Sequence, residues 1–171
     1  AEKAAETLGE NATFASGDVA DEEAVKAGIQ KALDTFGAIH INVNSAGIGA
    51  AGRTLGKNGP MPLKTFEFVI RVNLIGTYNV LRLCAEAMAK NDPVTDDGER
   101  GVIVNVASVA AFDGQIGQAA YSASKGAVAA MTLPIARDLV RQGIRIATIA
   151  PGIFETPMMK FAPPQVREPL I

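Results

Sequence analysis

The chain has 171 residues, 48% of them apolar and 20% charged, which is enough for one domain with a substantial core. A formal net charge of −2 and a pI near 5.4 argue against a general nucleic-acid or anionic-membrane surface. The single cysteine, Cys84, excludes an intrachain disulfide and a cysteine metal cluster, and no apolar run approaches the roughly 20 residues of a bilayer span.

Taken in chain order, residues 13–15 form a short apolar run before "SGDV" and are predicted as a strand. Asp18 stands at its end, where a carboxylate accepts from a ligand amino group or caps the turn that follows. Residues 21–36 are predicted as a helix, with Asp21 as N-cap and Gly37 as the stop. A second strand, 39–43, runs into "NVNSAG", a turn of small residues that lets the backbone approach a ligand closely. Asn44 in that turn either bridges strand ends or contacts a nucleotide. His40, the only histidine, has no partner motif. A Gly-rich loop over 47–62 follows, and then a long amphipathic helix over 63–90. Asn73 falls in the middle of that helix, flanked by apolar residues, and needs partners if it is buried. Cys84 on the same helix reads as a small core residue.

Residues 90–101 are a polar surface loop. Strand 102–106 leads to Ser108, helix 119–142 closes at Gly143, and strand 144–149 ends in "APGIFETP". Pro134 inside the last helix removes one backbone bond. The strands are short and rich in Val and Ile with little alternation, the pattern of a parallel sheet buried on both faces. Strand–helix alternation makes this an α/β fold with right-handed crossovers.

The chemistry concentrates on three residues. Tyr121 lies 13 positions after Ser108, and Lys125 lies four after Tyr121, one helical turn on and on the same face. A free tyrosine has a pKa of about 10, too high for a base at neutral pH. A neighbouring ammonium favours the phenolate, and a serine hydroxyl at a strand end can hold a substrate oxygen against it.

Asp18, "NSAG", Asn73, Ser108, "YSASK" and the "PG…T" pattern together resemble the short-chain dehydrogenase/reductase family, over essentially the whole chain. The resemblance implies a Rossmann-like, doubly wound parallel sheet with helices on both faces. By analogy Asn73, Ser108, Tyr121 and Lys125 form a catalytic tetrad. Tyr121 would be the acid/base, Ser108 would orient the substrate, Lys125 would lower the tyrosine pKa and bond the nicotinamide ribose, and Asn73 would hold a relay water. Asp18 and Val19 match the adenine-contacting pair. Asn44, Ala46 and Gly47 match the cofactor-side turn, with Pro151, Gly152, Ile153 and Thr156 on the nicotinamide side. Gln115 and Gln118 would line the substrate pocket together with Ser108 and Tyr121.

The implied cofactor is NAD, with NADP still open. The implied substrates are secondary alcohols or ketones such as 3-hydroxyacyl-CoA, 3-oxoacyl-carrier-protein or hydroxysteroids. The implied assembly is a homotetramer through the two long helices, with no metal, nucleic acid or membrane partner. The absence of a visible signal peptide adds the cytoplasm or an organelle matrix as the expected location. The sequence departs from the family at both ends. No G-x-x-x-G-x-G turn precedes Asp18, and little follows Thr156. Residues 1–171 therefore read as a single Rossmann-like domain lacking the N-terminal nucleotide-binding β-α-β unit and the C-terminal lid, part of a longer protein. A non-catalytic subunit that assembles with full-length chains is the competing expectation from another class, and an extended-type epimerase or dehydratase is a third.

Overall fold

The computed structural model describes residues 2–154. Helix α1 (Glu2–Leu8) and an extended segment lead to α2 (Glu22–Phe36). Asp21 caps α2 as its position predicts, its carboxylate accepting from the amides of Glu23 (2.9 Å) and Ala24 (3.2 Å). Gly37 ends it, its amide donating to Leu33 O at 2.8 Å. Strand β1 (Ile41–Asn44) follows, and then a small antiparallel hairpin of β2 (Leu55–Gly56) and β3 (Gly59–Pro60) inside the Gly-rich loop. Helix α3 (Leu63–Ile70) runs through a π-helical turn, Arg71–Gly76, into α4 (Thr77–Met88). Strand β4 (Gly101–Val106), helix α5 (Ala119–Leu139, with a 3-10 turn to Gln142) and strand β5 (Ile144–Ile149) complete the described chain.

The main sheet has three parallel strands in the order β1-β4-β5, with Ile41 opposite Val102 and Gly101 opposite Ile144. This is the Rossmann-like α/β class expected from the sequence. The core sits where Ile103, Ile144 and Ile146 meet Leu81, Cys84 and Met88 of α4, and Met131, Ile135 and Leu139 of α5.

Four expectations change in the structure. Residues 13–15 form no strand and pair with none among the described residues. A cleft of about 350 Å³ separates the neighbouring segment Ala15–Val19 from Ile39 and Ile41, and Phe14 O accepts from Lys31 Nζ (2.7 Å) rather than from a ladder partner. The strands are also not buried on both faces. Along β1 burial alternates, with Asn42 and Asn44 buried while Ile41 and Val43 are 68% and 57% exposed. The core helices pack on one face of the sheet, so among the described residues only that face is covered. The long helix contains the unpredicted π turn. Finally, the 26-residue helix Leu63–Met88 is long and apolar enough to pass for a membrane span by length and composition. Its buried residues include Asn73, Thr77, Asn79, Leu81 and Met88, and it behaves as a core helix.

Candidate active site

Helix α5 carries Tyr121 and Lys125 one turn apart, as their spacing predicts. Lys125 is 5% exposed, and its Nζ donates to Val106 O, the last carbonyl of β4, at 2.7 Å. Nζ also stands 5.9 Å from the centre of the Tyr121 ring, within cation–π range. Burial holds the Lys125 ammonium below its ordinary pKa of 10.5. The unfolded chain then binds this proton more tightly than the folded one. The stability that Lys125 contributes rises as pH climbs through the folded pKa toward 10.5. Urea-unfolding midpoints measured over that range are expected to rise less steeply in Lys125→Met. An identical slope in the two proteins would show that the ammonium is not desolvated.

Ser108 lies two residues beyond the carbonyl that Lys125 holds. It caps the 3-10 turn Val109–Ala111, its Oγ accepting from the Ala110 amide at 3.2 Å, and its own O–H is left to donate elsewhere. The strand end of β5 grips both of its neighbours. The Ala107 amide donates to Ile149 O (2.8 Å) and the Val109 amide to Pro151 O (3.0 Å). Pro151 is therefore fastened beside Ser108, and the loop it opens continues through Gly152 and the 44%-exposed Ile153. Thr156 lies outside the described residues. Gln118 closes its own turn, its Oε1 accepting from the Gln115 amide at 2.9 Å, while Gln115 itself is exposed.

Asn73 sits on the π turn and is fully buried. Its Oδ1 accepts from the Ile48 amide (2.8 Å), and its Nδ2 donates to Ile48 O (2.9 Å) and to Ser124 Oγ (3.0 Å). Both amide protons are thus committed to protein, and the partners that burial demands are found. The same helix reaches the Asp18 turn. Arg71 donates to Asp18 Oδ2 at 2.9 Å, and Asn79 Nδ2 donates to Val19 O at 2.9 Å. The Ala20 amide, and then Arg71, hold the Asp18 carboxyl below its ordinary pKa. Asn44 takes the bridging role. Its Nδ2 donates to Asn105 Oδ1 on β4 and to Asn42 Oδ1, both at 2.8 Å. Ala46 is exposed on the turn beyond it. His40 is also exposed and stands with Asn91 and Arg100 O at the start of β4, away from this cluster.

Sequence reasoning missed Ser124, Arg71 and Asn79. Ser124 lies inside "YSASK", three positions after Tyr121, and its burial is the signal that was absent. Arg71 and Asn79 lie eight positions apart across the unpredicted π turn, and both reach the Asp18–Val19 turn.

The donor set fits a dinucleotide at both of its ends. Lys125 Nζ makes one hydrogen bond among the described residues, so further N–H donors remain for the hydroxyls of a ribose. A Cβ at residue 47 would lie 3.4 Å from that Nζ and 3.3 Å from Asn73 Oδ1, so Gly47 keeps the approach open. Asp18 offers an exposed acceptor at the other end. The Ala15–Val19 cleft is lined by Asp18 and Val19 but by none of Ser108, Tyr121 and Lys125.

A sequence profile described as short chain dehydrogenase matches residues 1–167. The chain is 56% identical, over 165 residues, to the 3-hydroxyacyl-CoA dehydrogenase type-2 of Drosophila melanogaster, covering 95% of this chain and 64% of that protein. It is 51% identical to the protein of the same name from Homo sapiens, covering 96% of this chain and 64% of that one. The crystal structure of 3-hydroxyacyl-CoA dehydrogenase type-2 from Mycobacterium avium superposes with a TM-score of 0.87 at 41% identity, covering 94% of this chain and 63% of that chain. The chain thus spans a little under two thirds of the length of these relatives. A parallel Rossmann-like sheet, the Tyr121–Lys125 turn beside the β4 strand end, and the profile match agree: the chain belongs to the short-chain dehydrogenase family.

Proposed function

We propose that this chain forms the proton-transfer half of an NAD-dependent dehydrogenase acting on 3-hydroxyacyl-CoA-like secondary alcohols. The observation that carries the reading is the buried Lys125, anchored on Val106 O with its ammonium over the Tyr121 ring, and Ser108 two residues further along the same strand end. Bound NAD supplies the acceptor for a hydride. Tyr121 takes the proton of the substrate hydroxyl, and the Lys125 cation favours the phenolate that this requires. Ser108 donates its free O–H to the substrate oxygen and fixes it for transfer. Asn73 secures the Gly47–Ile48 turn on the cofactor side.

The name shared by the relatives supports the acyl-CoA class, and the preference for NAD over NADP follows the same analogy. The same reading takes Gln115 and Gln118 toward the substrate, and Thr156 toward the nicotinamide. It places the protein in the cytoplasm or an organelle matrix, in fatty acid metabolism, and assembles it as a homotetramer through the helices Leu63–Met88 and Ala119–Leu139. Exposed apolar side chains on those helices, Leu63, Phe68, Ile75, Tyr78 and Leu133, support that assembly.

The test is NADH formation from NAD by purified protein with short-chain 3-hydroxyacyl-CoA, a hydroxysteroid or a 3-hydroxyacyl carrier protein. The acyl-CoA is expected to give the highest kcat/KM, with NADP well below NAD. Protein that binds NADH but oxidises only the steroid would overturn the substrate class. Folded protein that binds no dinucleotide would overturn the dehydrogenase reading and favour the assembling subunit.

A further inference from the structure

Ser124 touches neither Tyr121's ring nor a cofactor-side residue directly, yet it is fully buried in the middle of the site. Its hydroxyl is engaged twice. Oγ donates to Tyr121 O, one turn back on α5, at 2.7 Å, and accepts from Asn73 Nδ2 at 3.0 Å. Asn73 in turn holds Ile48 at both its amide (2.8 Å) and its carbonyl (2.9 Å). The chain of contacts therefore runs from the backbone of the proton-transfer residue, through one hydroxyl and one carboxamide, to the turn after β1. The pair of bonds to Ile48 fixes the carboxamide in its own plane. The bond to Ser124 stops that plane from rotating about the Asn73 side chain.

We infer that Ser124 is a positioning residue that locks the Gly47–Ile48 turn to the Tyr121–Lys125 helix through Asn73. Lys125 has its own anchor on Val106 O, so its place beside Tyr121 does not depend on Ser124. The two functions are separable. Loss of the serine hydroxyl loosens the cofactor-side turn and leaves the proton-transfer pair where it was. In kinetic terms this rests on the dehydrogenase reading; in structural terms it does not.

Amide hydrogen exchange at Ile48 decides it. In Ser124→Ala the Ile48 amide is expected to exchange roughly 5- to 10-fold faster, the weight of one buried hydrogen bond. Thr132→Ala, on the same helix but bonded to Val128 O and Thr148, is expected to leave that rate unchanged. An unchanged Ile48 rate in Ser124→Ala, or an equal acceleration in Thr132→Ala, overturns the inference. If Ser124→Ala fails to fold, the native protein still answers. Both side-chain amide protons of Asn73 must be protected, and free exchange of either one overturns it. In turnover, the expected change is a rise in the KM for NAD by the same factor, with the pH profile of kcat unmoved. A shifted pH profile would mean that Ser124 acts on Tyr121 and Lys125 instead. Protein that shows the exchange effect without any turnover would retain the lock and discard the dehydrogenase reading.

Discussion

Tyr121→Phe is expected to lower turnover by about 10²- to 10⁴-fold while NADH binding stays as it was. The substitution removes one oxygen and nothing else of consequence. The aromatic ring beneath the Lys125 ammonium remains, so the contact at 5.9 Å survives. The bond from Lys125 Nζ to Val106 O does not involve Tyr121, and neither do the bonds that hold Asp18 and Ile48. What disappears is the phenolic oxygen that accepts the hydroxyl proton in the proposed reading. Ser108 is a poor replacement, because an aliphatic hydroxyl is a far weaker acid than a phenol and its anion lacks the ring's delocalisation. NADH fluorescence titration and initial-rate kinetics on the same preparation separate the two effects. Turnover that survives in Tyr121→Phe would remove Tyr121 from the mechanism.

Gly143→Ala is expected to be the most damaging conservative change outside the site. Gly143 ends α5 with φ 67 and ψ 30, in the left-handed region where a side chain costs about 1–2 kcal/mol. A Cβ there would also overlap Gly98 O of the loop that precedes β4 and meet Arg100 Nη1 at 3.3 Å. The Arg100 amide donates to Gly143 O at 2.7 Å, so this contact joins the two segments that enter the sheet as the Gly101–Ile144 pair. Loop and helix end must part to admit a methyl group, and the pairing that starts β4 against β5 goes with them. The combined loss is expected to be roughly 3 kcal/mol. Gly37→Ala provides the comparison. Its φ of 83 carries a similar backbone penalty, but a Cβ there meets nothing within 4 Å. Urea midpoints should fall clearly further for Gly143→Ala than for Gly37→Ala. Equal losses would mean that the loop gives way and only the backbone matters.

The comparison of residues 13–15 with 102–106 shows what was legible in the sequence. Both runs are short and apolar, and both are predicted as strands. The second is β4, paired on one side with β1 and on the other with β5; the first pairs with no strand among the described residues. Strand formation is decided by pairing across the chain, which composition does not report. Helix α2 was readable end to end because its cap and stop are local chemistry at Asp21 and Gly37. The Tyr121–Lys125 pair was readable for the same reason, since one turn of helix sets its geometry. Its anchor on Val106 O was not, because a backbone carbonyl has no residue signature. Asn44 shows the limit from the other side. Its position offered two roles, and only the neighbouring strand's Asn105 selects bridging.

The π turn at Arg71–Gly76 also bears on how this helix tolerates insertions and deletions. A π turn holds one residue more than the α-helix around it, and each α-helical residue advances the face by about 100°. Deleting a residue from the turn would restore regular winding and leave the two halves of the helix near their present phase, whereas a deletion in the α-helical part on either side would swing one half against the other by that angle. A swing of that size would part either Arg71 from Asp18 or Asn79 from Val19. The two grips on the Asp18–Val19 turn are thus set by helix phase, and the π turn is the one place in this helix where a change in length leaves that phase intact.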